Sequence, residues 1–320
     1  MLPRDPAAVI DISRRLDESL RTPEPTPAVS IPEPGIYRDM PMAEYLALPL
    51  MSASRLEILR RSPLQYKYSL TEPPKATSAL ERGTAIHMAV LEPLLFEGHY
   101  VVLGQCEGMT QRGTPCTYQG SVYRHGQSWC KTHDPERGQP MEDVHVLSQA
   151  DYDAVLGARD MILAHPRARS LFEGRGDFEV TIIFDDPETG IRCKIRPDRL
   201  VERAGLVVDL KSTRDGSPWA FPRQAENLGY FRKLAFYRRG LRTVEWPYQA
   251  TAVLAIEMTP PFDLCPYLPE ESDLDTADLE VSRLLRILKH CEDTGEWSGY
   301  ANDFQPLRRP RWAMPEEQYA

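Results

Sequence analysis

Two aspartates and a lysine recur in a stretch where charged and apolar residues alternate. The stretch covers residues 190–198 and resumes at residues 205–211. We predict two strands joined by a turn, because apolar residues occupy every second position in both parts. Side chains two apart share one face of a strand, so Asp209 and Lys211 project together. If the two strands are hairpin neighbours, Asp198 joins that pair at the end of the sheet.

These residue types suit the hydrolysis of a phosphodiester. Mg²⁺ is typically held by one or two carboxylates, which Asp198 and Asp209 would supply. Lys211 would orient or help to deprotonate the attacking water and would offset negative charge in the transition state. The alternative is a surface hairpin with solvated charges, because Asp and Lys at alternate strand positions are common.

Other elements must position this stretch. We predict a helix over residues 79–91, a helix that begins at Ser148, a strand over 177–185 with clean alternation, and a turn into the charged stretch. After the stretch we predict a helix over 221–239, a buried strand over 249–257 and a last helix over 276–290. The core among them has the order helix, three strands, helix, strand, and the last helix closes it.

The charged stretch resembles the signature of the PD-(D/E)XK nucleases, since Pro197-Asp198 is followed by Asp209-Leu210-Lys211. More of the chain is similar to the exonuclease VIII nuclease domain of phage and prophage recombination systems, over roughly residues 33 to 100 and 145 to 315. The order and co-occurrence of short segments carry this likeness. They are Gly35-Ile-Tyr37, Tyr45, Met51-Ser-Ala-Ser-Arg-Leu56, Ser62-Pro-Leu-Gln-Tyr66, Gly83-Thr-Ala-Ile-His87, Leu91-Glu-Pro93 and Pro310-Arg-Trp312.

The resemblance implies an α/β fold with a restriction-endonuclease-like αβββαβ core, in which a central mixed sheet is flanked by helices. It also implies the ligands of a divalent ion: His87, Asp198, Asp209 and the backbone carbonyl of Leu210. Without the resemblance, His87 would be interpreted as a buried histidine bonded to a neighbouring carbonyl. A glutamate at the position of Glu179 can assist metal or water binding in relatives. The alternative for Glu179 is an exposed strand carboxylate.

The activity implied by the resemblance is that of an exodeoxyribonuclease using one or two Mg²⁺ or Mn²⁺ ions. It would degrade the ends of linear double-stranded DNA from 5′ to 3′, leaving 3′ single strands for an annealing protein. A ring-shaped homo-oligomer is implied in the same way. Two alternatives stay open: an endonuclease or flap nuclease with the same site, and a non-catalytic DNA-binding adaptor.

Contacts with DNA are predicted on the helix at residues 221–239 and on the charged stretch. Lys233, Tyr237 and Arg196 are the candidates. Relatives often have a glutamine four residues before such a tyrosine, where this chain has Lys233. Lysine can still bind phosphate as a point charge. Tyr237 has an alternative role as a core residue whose hydroxyl reaches the surface.

The net charge of −9 opposes DNA binding, because DNA is itself a polyanion. The distribution of the charge matters more than its sum. Residues 192–239 contain twelve Lys and Arg against five Asp and Glu, whereas residues 270–280 contain six acids. We therefore predict a positive surface near the proposed site, with acidic residues elsewhere. The alternative is an ordinary surface of mixed charge.

A second candidate site lies in residues 104–140, which are rich in turn-forming residues and poor in apolar ones. Three cysteines and a histidine have the spacing C-x9-C-x13-C-x2-H: Cys106, Cys116, Cys130 and His133. Such a segment cannot form its own core, so we predict that a structural zinc ion stabilises it as an inserted zinc knuckle. The alternatives are a flexible loop with free thiols, or His125 in place of His133.

The length of 320 residues allows one large domain or two smaller ones. We divide it into an extension with a short amphipathic pattern and a Pro-rich linker (1–34), the nuclease domain (35–103 and 141–320) and the inserted segment (104–140). No run of about 18 apolar residues occurs, so we expect no membrane span. The N-terminus has no apolar signal core and the six cysteines do not resemble a secreted framework, so we expect a cytoplasmic protein.

Overall fold

The structure is a computed structural model that describes residues 30–71, 78–139 and 144–309. The amphipathic pattern near the N-terminus and the closing Pro310-Arg-Trp312 lie outside the described residues. Within them, no helix is both long enough and apolar enough to cross a membrane.

The described helices and strands follow one another along the chain, and we number each kind in order. The helices are α1 (Met42–Ala47), α2 (Ala53–Arg61), α3 (Pro63–Ser69), α4 (Ser78–Leu91), α5 (Pro93–His99), α6 (Gln149–Ala164), α7 (Pro166–Phe172), α8 (Phe221–Asn227), α9 (Tyr230–Thr243) and α10 (Glu271–Thr294). The strands are β1 (Gly35–Tyr37), β2 (Tyr100–Val102), β3 (Val122–Arg124), β4 (Gln127–Trp129), β5 (His145–Leu147), β6 (Asp177–Phe178), β7 (Thr181–Asp185), β8 (Arg192–Ile195), β9 (Arg199–Val201), β10 (Leu206–Thr213), β11 (Ala250–Glu257) and β12 (Leu264–Tyr267).

A mixed five-stranded sheet forms the centre, in the order β12-β11-β10-β9-β6. Its long strands β10 and β11 are parallel, with Asp209 opposite Val253. The connection between them contains α8 and α9, as parallel strands require a crossover. Strands β9 and β12 pair antiparallel on the two outer sides.

A second sheet, in the order β1-β7-β8, continues the first through a bend. The chain from β6 to β7 is interrupted at Glu179, whose φ of 49° lies in the left-handed region. The neighbouring stretch of the same chain is likewise interrupted between β8 and β9. The two interruptions face each other, because the Glu179 N–H donates to the Asp198 carbonyl at 3.1 Å. The predicted single strand over residues 177–185 is therefore two strands that belong to different sheets.

The predicted hairpin between residues 190–198 and 205–211 is also wrong in its pairing. Strand β8 pairs with β7, and the neighbour of β10 is β9, with Val208 opposite Arg199. A short 3-10 helix, Glu202–Ala204, and Gly205 at φ 60° make the turn from β9 into β10. Asp198 still lies beside β10, because it immediately precedes β9.

Helices cover both faces of the central sheet. Side chains of α4 and α6, among them Ile86 and Ile162, pack with Val208 and Leu210 on one face. On the other, Phe236 of α9 and Leu285 of α10 pack around Val207. Helix α4, the bent strand pairs, β10, α9 and β11 form the αβββαβ core, so the predicted fold class is confirmed.

Two predicted helices differ from the observed ones. The helix expected over 221–239 is split into α8 and α9 at Gly229, which has a φ of 74° and therefore ends one helix before the next begins. The last helix is longer than predicted and covers Glu271–Thr294. The predicted start at Ser148 is confirmed, because its hydroxyl accepts from the Asp151 N–H.

Candidate active site

An imidazole and two carboxylates meet where the two sheets bend into each other. One ligand atom each from His87, Glu179 and Asp198 lies within 4.8 Å of the others. Helix α4 supplies the imidazole, whereas the carboxylates come from the two interruptions that face each other. The structure thus gathers residues that are far apart in sequence and come from three elements.

His87 is held in one orientation by the backbone of β10. Its Nε2 lies 2.8 Å from the carbonyl oxygen of Leu210, and a carbonyl can only accept, so Nε2 carries the proton. Burial lowers the pKa of His87, against the opposing effect of Asp198, and keeps the ring neutral at neutral pH. The lone pair on Nδ1 therefore remains available to bind a metal ion, and Nδ1 lies 3.5 Å from Asp198 Oδ2.

Glu179 combines an unusual backbone with a carboxylate that is 13% exposed. The left-handed φ of a non-glycine residue costs free energy, and such strain is concentrated at functional sites. Its carboxylate pairs with Arg196 at 2.9 Å. Burial, together with the charge of Asp198, raises the pKa of Glu179 to about 7, although Arg196 acts in the opposite direction.

Asp198 is a buried carboxylate beside a neutral imidazole. Its Oδ2 accepts the Leu210 N–H at 2.6 Å, and its side chain is 7% exposed. Among the described residues, no lysine or arginine forms an ion pair with it. Since a buried charge needs a partner or a metal ion, Asp198 has the surroundings of a ligand.

Asp209 and Lys211 point to the other side of β10 from Leu210, as the alternation predicts. The Lys211 ammonium contacts Asp209 Oδ2, and Lys233 of α9 lies 2.8 Å from Oδ1. Burial would raise the pKa of Asp209, but the two ammonium groups lower it well below the usual range. The carbonyl of Leu210 accepts from His87 and also from Lys211 Nζ at 3.0 Å. Despite these ion pairs, neither buried oxygen of Asp209 has a hydrogen-bond partner among the described residues.

The three candidates for DNA contact all lie inside the site. Arg196 binds Glu179, and its guanidinium also donates to the Met40 carbonyl at 2.9 Å. Tyr237 is buried and its hydroxyl donates to the Arg196 carbonyl at 2.9 Å. Burial raises the pKa of this hydroxyl far above its ordinary value. Lys233 is the most exposed of the three, at 25% of its side chain.

The predicted separation of basic and acidic regions is wrong. Acids of α10 pair with arginines of the basic stretch, because α10 packs along α9. The pairs are Arg232 with Glu280, Arg238 with Glu271 and Asp275, and Arg239 with Asp278. The local positive balance of the sequence is therefore largely neutralised by packing.

Sequence reasoning also missed the partners of the charged groups. Nothing in the sequence links Arg196 to Glu179, or Lys233 to Asp209, beyond the opposite signs of their charges. The two ion pairs depend on the bend between the sheets and on the position of α9 over β10.

The inserted segment brings its predicted ligands together. The three thiols and the imidazole of Cys106, Cys116, Cys130 and His133 offer ligand atoms within 4.8 Å of one another. His133 Nδ1 lies 3.5 Å from the sulfurs of Cys106 and Cys130. Strands β3 and β4 form a hairpin between the second and third ligands. Gly108 passes so close to His133 that an added Cβ would lie 2.6 Å from the ring.

The two groups fit different ions. Around a tetrahedral zinc ion with Zn–S distances near 2.3 Å, neighbouring ligand atoms are roughly 3.5 to 3.8 Å apart, which agrees with the 3.5 Å contacts of His133. Glu179 and Asp198 supply the oxygen donors that Mg²⁺ and Mn²⁺ prefer. The observation that fits Mg²⁺ or Mn²⁺ at this site is the buried Asp198 carboxylate, which has no cationic partner among the described residues.

Comparison with known proteins places the chain in a family. A family described as a PDDEXK-like domain of unknown function (DUF3799) matches residues 52–310. A crystal structure described as a "Putative exonuclease" from Eubacterium rectale is 14% identical, covers 82% of this chain and 90% of its own, and has a TM-score of 0.51. The structure of SSO0001 is 17% identical, covers 43% of this chain and 62% of its own, and has a TM-score of 0.27, too low to carry an argument. No curated protein matches significantly. The chain therefore belongs to the PDDEXK-like family, and this membership supports a nuclease.

Proposed function

We propose that this protein is a metal-dependent exodeoxyribonuclease that degrades the ends of linear double-stranded DNA from 5′ to 3′. The observation that carries the proposal is the convergence of His87, Glu179 and Asp198 within 4.8 Å, next to the Leu210 carbonyl to which both His87 and Lys211 are bonded. The likeness to the exonuclease VIII domain supports the polarity and the 3′ single strand, left for recombination by an annealing protein. It also supports a ring-shaped oligomer.

Each residue of the site has a role in this proposal. His87, Asp198, Asp209 and the backbone carbonyl of Leu210 would hold Mg²⁺ or Mn²⁺, and Glu179, within 4.8 Å of the His87 and Asp198 ligand atoms, would assist. The bound ion would supply positive charge at the phosphate and lower the pKa of a water molecule. Lys211 would orient the attacking water and stabilise negative charge on the phosphate, and Asp209 holds its ammonium in place.

The proposed reaction is tested with linear duplex labelled at the 5′ or the 3′ end. With Mg²⁺ we expect early release of the 5′ label as short products, and slow loss of the 3′ label. EDTA should stop both. Early release of the 3′ label would reverse the proposed polarity.

Closed circular duplex separates the exonuclease from an endonuclease or flap nuclease with the same site. An exonuclease must leave the circle intact, whereas an endonuclease would open it. A non-catalytic adaptor would bind linear duplex without cutting it under any metal condition. Either of these results would replace the proposal.

A second proposal concerns the inserted segment. We propose that Cys106, Cys116, Cys130 and His133 hold a structural zinc ion, because all four positions are filled by protein ligands at tetrahedral spacing. Elemental analysis of the purified protein should give one zinc per chain. Protein that folds fully, with the four ligands unmodified and no zinc bound, would contradict this proposal.

A further inference from the structure

An exposed tryptophan lies just after the strand that carries Lys211. Trp219 is 84% exposed, in the loop between β10 and α8. Tryptophan is highly buried on average in folded proteins. A single exposed apolar residue is nevertheless common on protein surfaces, so the neighbours of Trp219 decide what it can bind. The loop begins three residues after Lys211, about 10 Å along an extended chain.

The loop holds Trp219 on a rigid support. The Gly216 N–H donates to Glu257 Oε1 at 2.9 Å, and the Gly216 carbonyl accepts from the Tyr267 hydroxyl at 2.6 Å. These bonds attach the loop to β11 and β12. A large ring on a fixed backbone offers contact area to a ligand at a low cost in conformational entropy.

Two exposed arginines flank this tryptophan in the chain, Arg214 and Arg223. Residues 192–239 contain twelve lysines and arginines, of which seven form ion pairs and two, Lys194 and Arg199, are buried. The other three are exposed and form no ion pair with a described residue: Arg203, Arg214 and Arg223. Arg203 precedes β10 and lies at the opposite end of that strand. The unpaired positive charge beside Lys211's end of β10 is therefore concentrated around Trp219.

A hydrogen bond brings the backbone on the two sides of the loop together. Thr213 Oγ1 donates to Gln224 Oε1 at 2.9 Å, and these two residues are the chain neighbours of Arg214 and Arg223. The one acid among residues 212–224 is Asp215, whose carboxylate accepts a backbone N–H of the loop at 3.0 Å. The loop thus combines one exposed ring, two free guanidinium groups and a small positive balance.

We propose that Arg214, Trp219 and Arg223 bind a single strand of the DNA substrate, a few nucleotides from the bond that is cut. The indole stacks on an unpaired base, because a single strand exposes the faces of its bases, and the guanidinium groups bind phosphates. At about 3.4 Å per nucleotide along the axis, the start of the loop lies about three nucleotides from Lys211. This inference rests on the proposed function, because it names the form of DNA that this end of the site receives.

The test is the affinity for a short fluorescein-labelled oligothymidylate, measured by anisotropy without Mg²⁺ or Mn²⁺, so that the strand is not cut. Trp219→Ala should bind it about 5- to 100-fold more weakly, the usual loss for one stacked base. Trp219→Phe keeps a ring and should retain most of the affinity. Phe304→Ala, which removes a fully exposed ring outside this loop, is the matched control and should not change the affinity.

Stacking and phosphate binding are separated by two further measurements. An oligonucleotide with abasic sites should bind the unchanged protein about as weakly as the normal strand binds Trp219→Ala. Arg214→Gln and Arg223→Gln should each reduce the slope of log affinity against log salt concentration by about 0.7, the value for one phosphate contact on a single strand. Trp219→Ala should leave that slope unchanged.

Two results would overturn the inference. One is unchanged affinity of Trp219→Ala, in a protein whose melting temperature is also unchanged. The other is an equal loss of affinity for a blunt duplex, since the ring would then not select a single strand. Failure of the proposed function is a different result: the unchanged protein would bind the single strand through Trp219 and would not cut end-labelled linear duplex with Mg²⁺.

Discussion

The two ligand groups of this protein differ in how they are built. The cysteine group lies within one segment, between Cys106 and His133, and is held by turns and a short hairpin. The group of His87, Glu179 and Asp198 draws on a helix and on two interrupted strands, and exists only when the central sheet has formed. A local group can be inferred from spacing, whereas a distributed group needs the fold. A substitution that abolishes metal binding in one group should therefore leave the other group intact.

The largest expected effect is on the distributed group. Asp198→Asn keeps the shape and one oxygen for the Leu210 N–H but removes the ligand charge, so we expect DNA cleavage to fall by at least about 100-fold. The measurement is release of end label from linear duplex. Zinc content and the melting temperature should change little. Asp160→Asn, at an exposed surface pair, is the control and should cleave normally. Normal cleavage by Asp198→Asn would contradict the site.

The next effect concerns the local group. Cys130→Ser removes a thiolate that zinc requires, so we expect loss of zinc and rapid proteolysis within residues 104–139, while the nuclease core remains resistant. Limited proteolysis with mass spectrometry, and elemental analysis, measure both. Cleavage of DNA should remain well above that of Asp198→Asn. Cys265→Ser, outside the group, should retain zinc. If Cys130→Ser unfolds the whole chain, the two groups are not independent.

A smaller effect is expected at Gly108, whose backbone lies close to the zinc ligand His133. Gly108→Ala would place a Cβ 2.6 Å from the His133 ring and displace it. We expect zinc binding to weaken by about 1–3 kcal/mol, the usual cost of overpacking. Competition with a chromogenic chelator measures the affinity. Gly98→Ala, where an added Cβ would contact nothing within 4 Å, is the matched control and should have no effect. Equal affinities in both variants would show that the segment adjusts freely.

The last prediction concerns the pH dependence of stability, at a buried lysine that belongs to neither ligand group. Lys194 donates from Nζ to the Leu48 carbonyl at 2.8 Å, and burial, with help from Arg55, lowers its pKa to about 8. Because its pKa in the unfolded chain is about 10.4, the free energy of unfolding should rise between pH 8 and pH 10 and lose this contribution as the pH falls through 8, by at most about 3 kcal/mol.

Urea denaturation at several pH values measures this slope for the unchanged protein and for Lys194→Met. The variant should lack the rise that is due to Lys194. The surface lysine variant Lys289→Met should keep it. Identical slopes in all three proteins would contradict the assignment.

The sequence allowed more of the site to be predicted than of its surroundings. The spacing of Asp209 and Lys211 placed both on one face of β10, and the cysteine spacing marked the second group. The bend at Glu179 was not predictable, because apolar alternation runs through it and a glutamate gives no sign of a left-handed φ. The break at Gly229 did have a signal, the glycine itself. The pairing of α10 acids with α9 arginines depends on helix packing, which the charge pattern does not contain.

The entry and exit of the inserted segment have a consequence for protein engineering. Strands β2 and β5 pair in parallel, with Tyr100 opposite His145 and Val102 opposite Leu147, so the chain leaves at one end of this strand pair and returns at the other. Because parallel neighbours need a crossover connection and not a tight turn, a tether that replaces the segment between Val102 and His145 needs about a dozen residues or more to run back along the strand pair. The segment can thus be replaced as a unit, and the same pair of strands offers a place to insert a different segment.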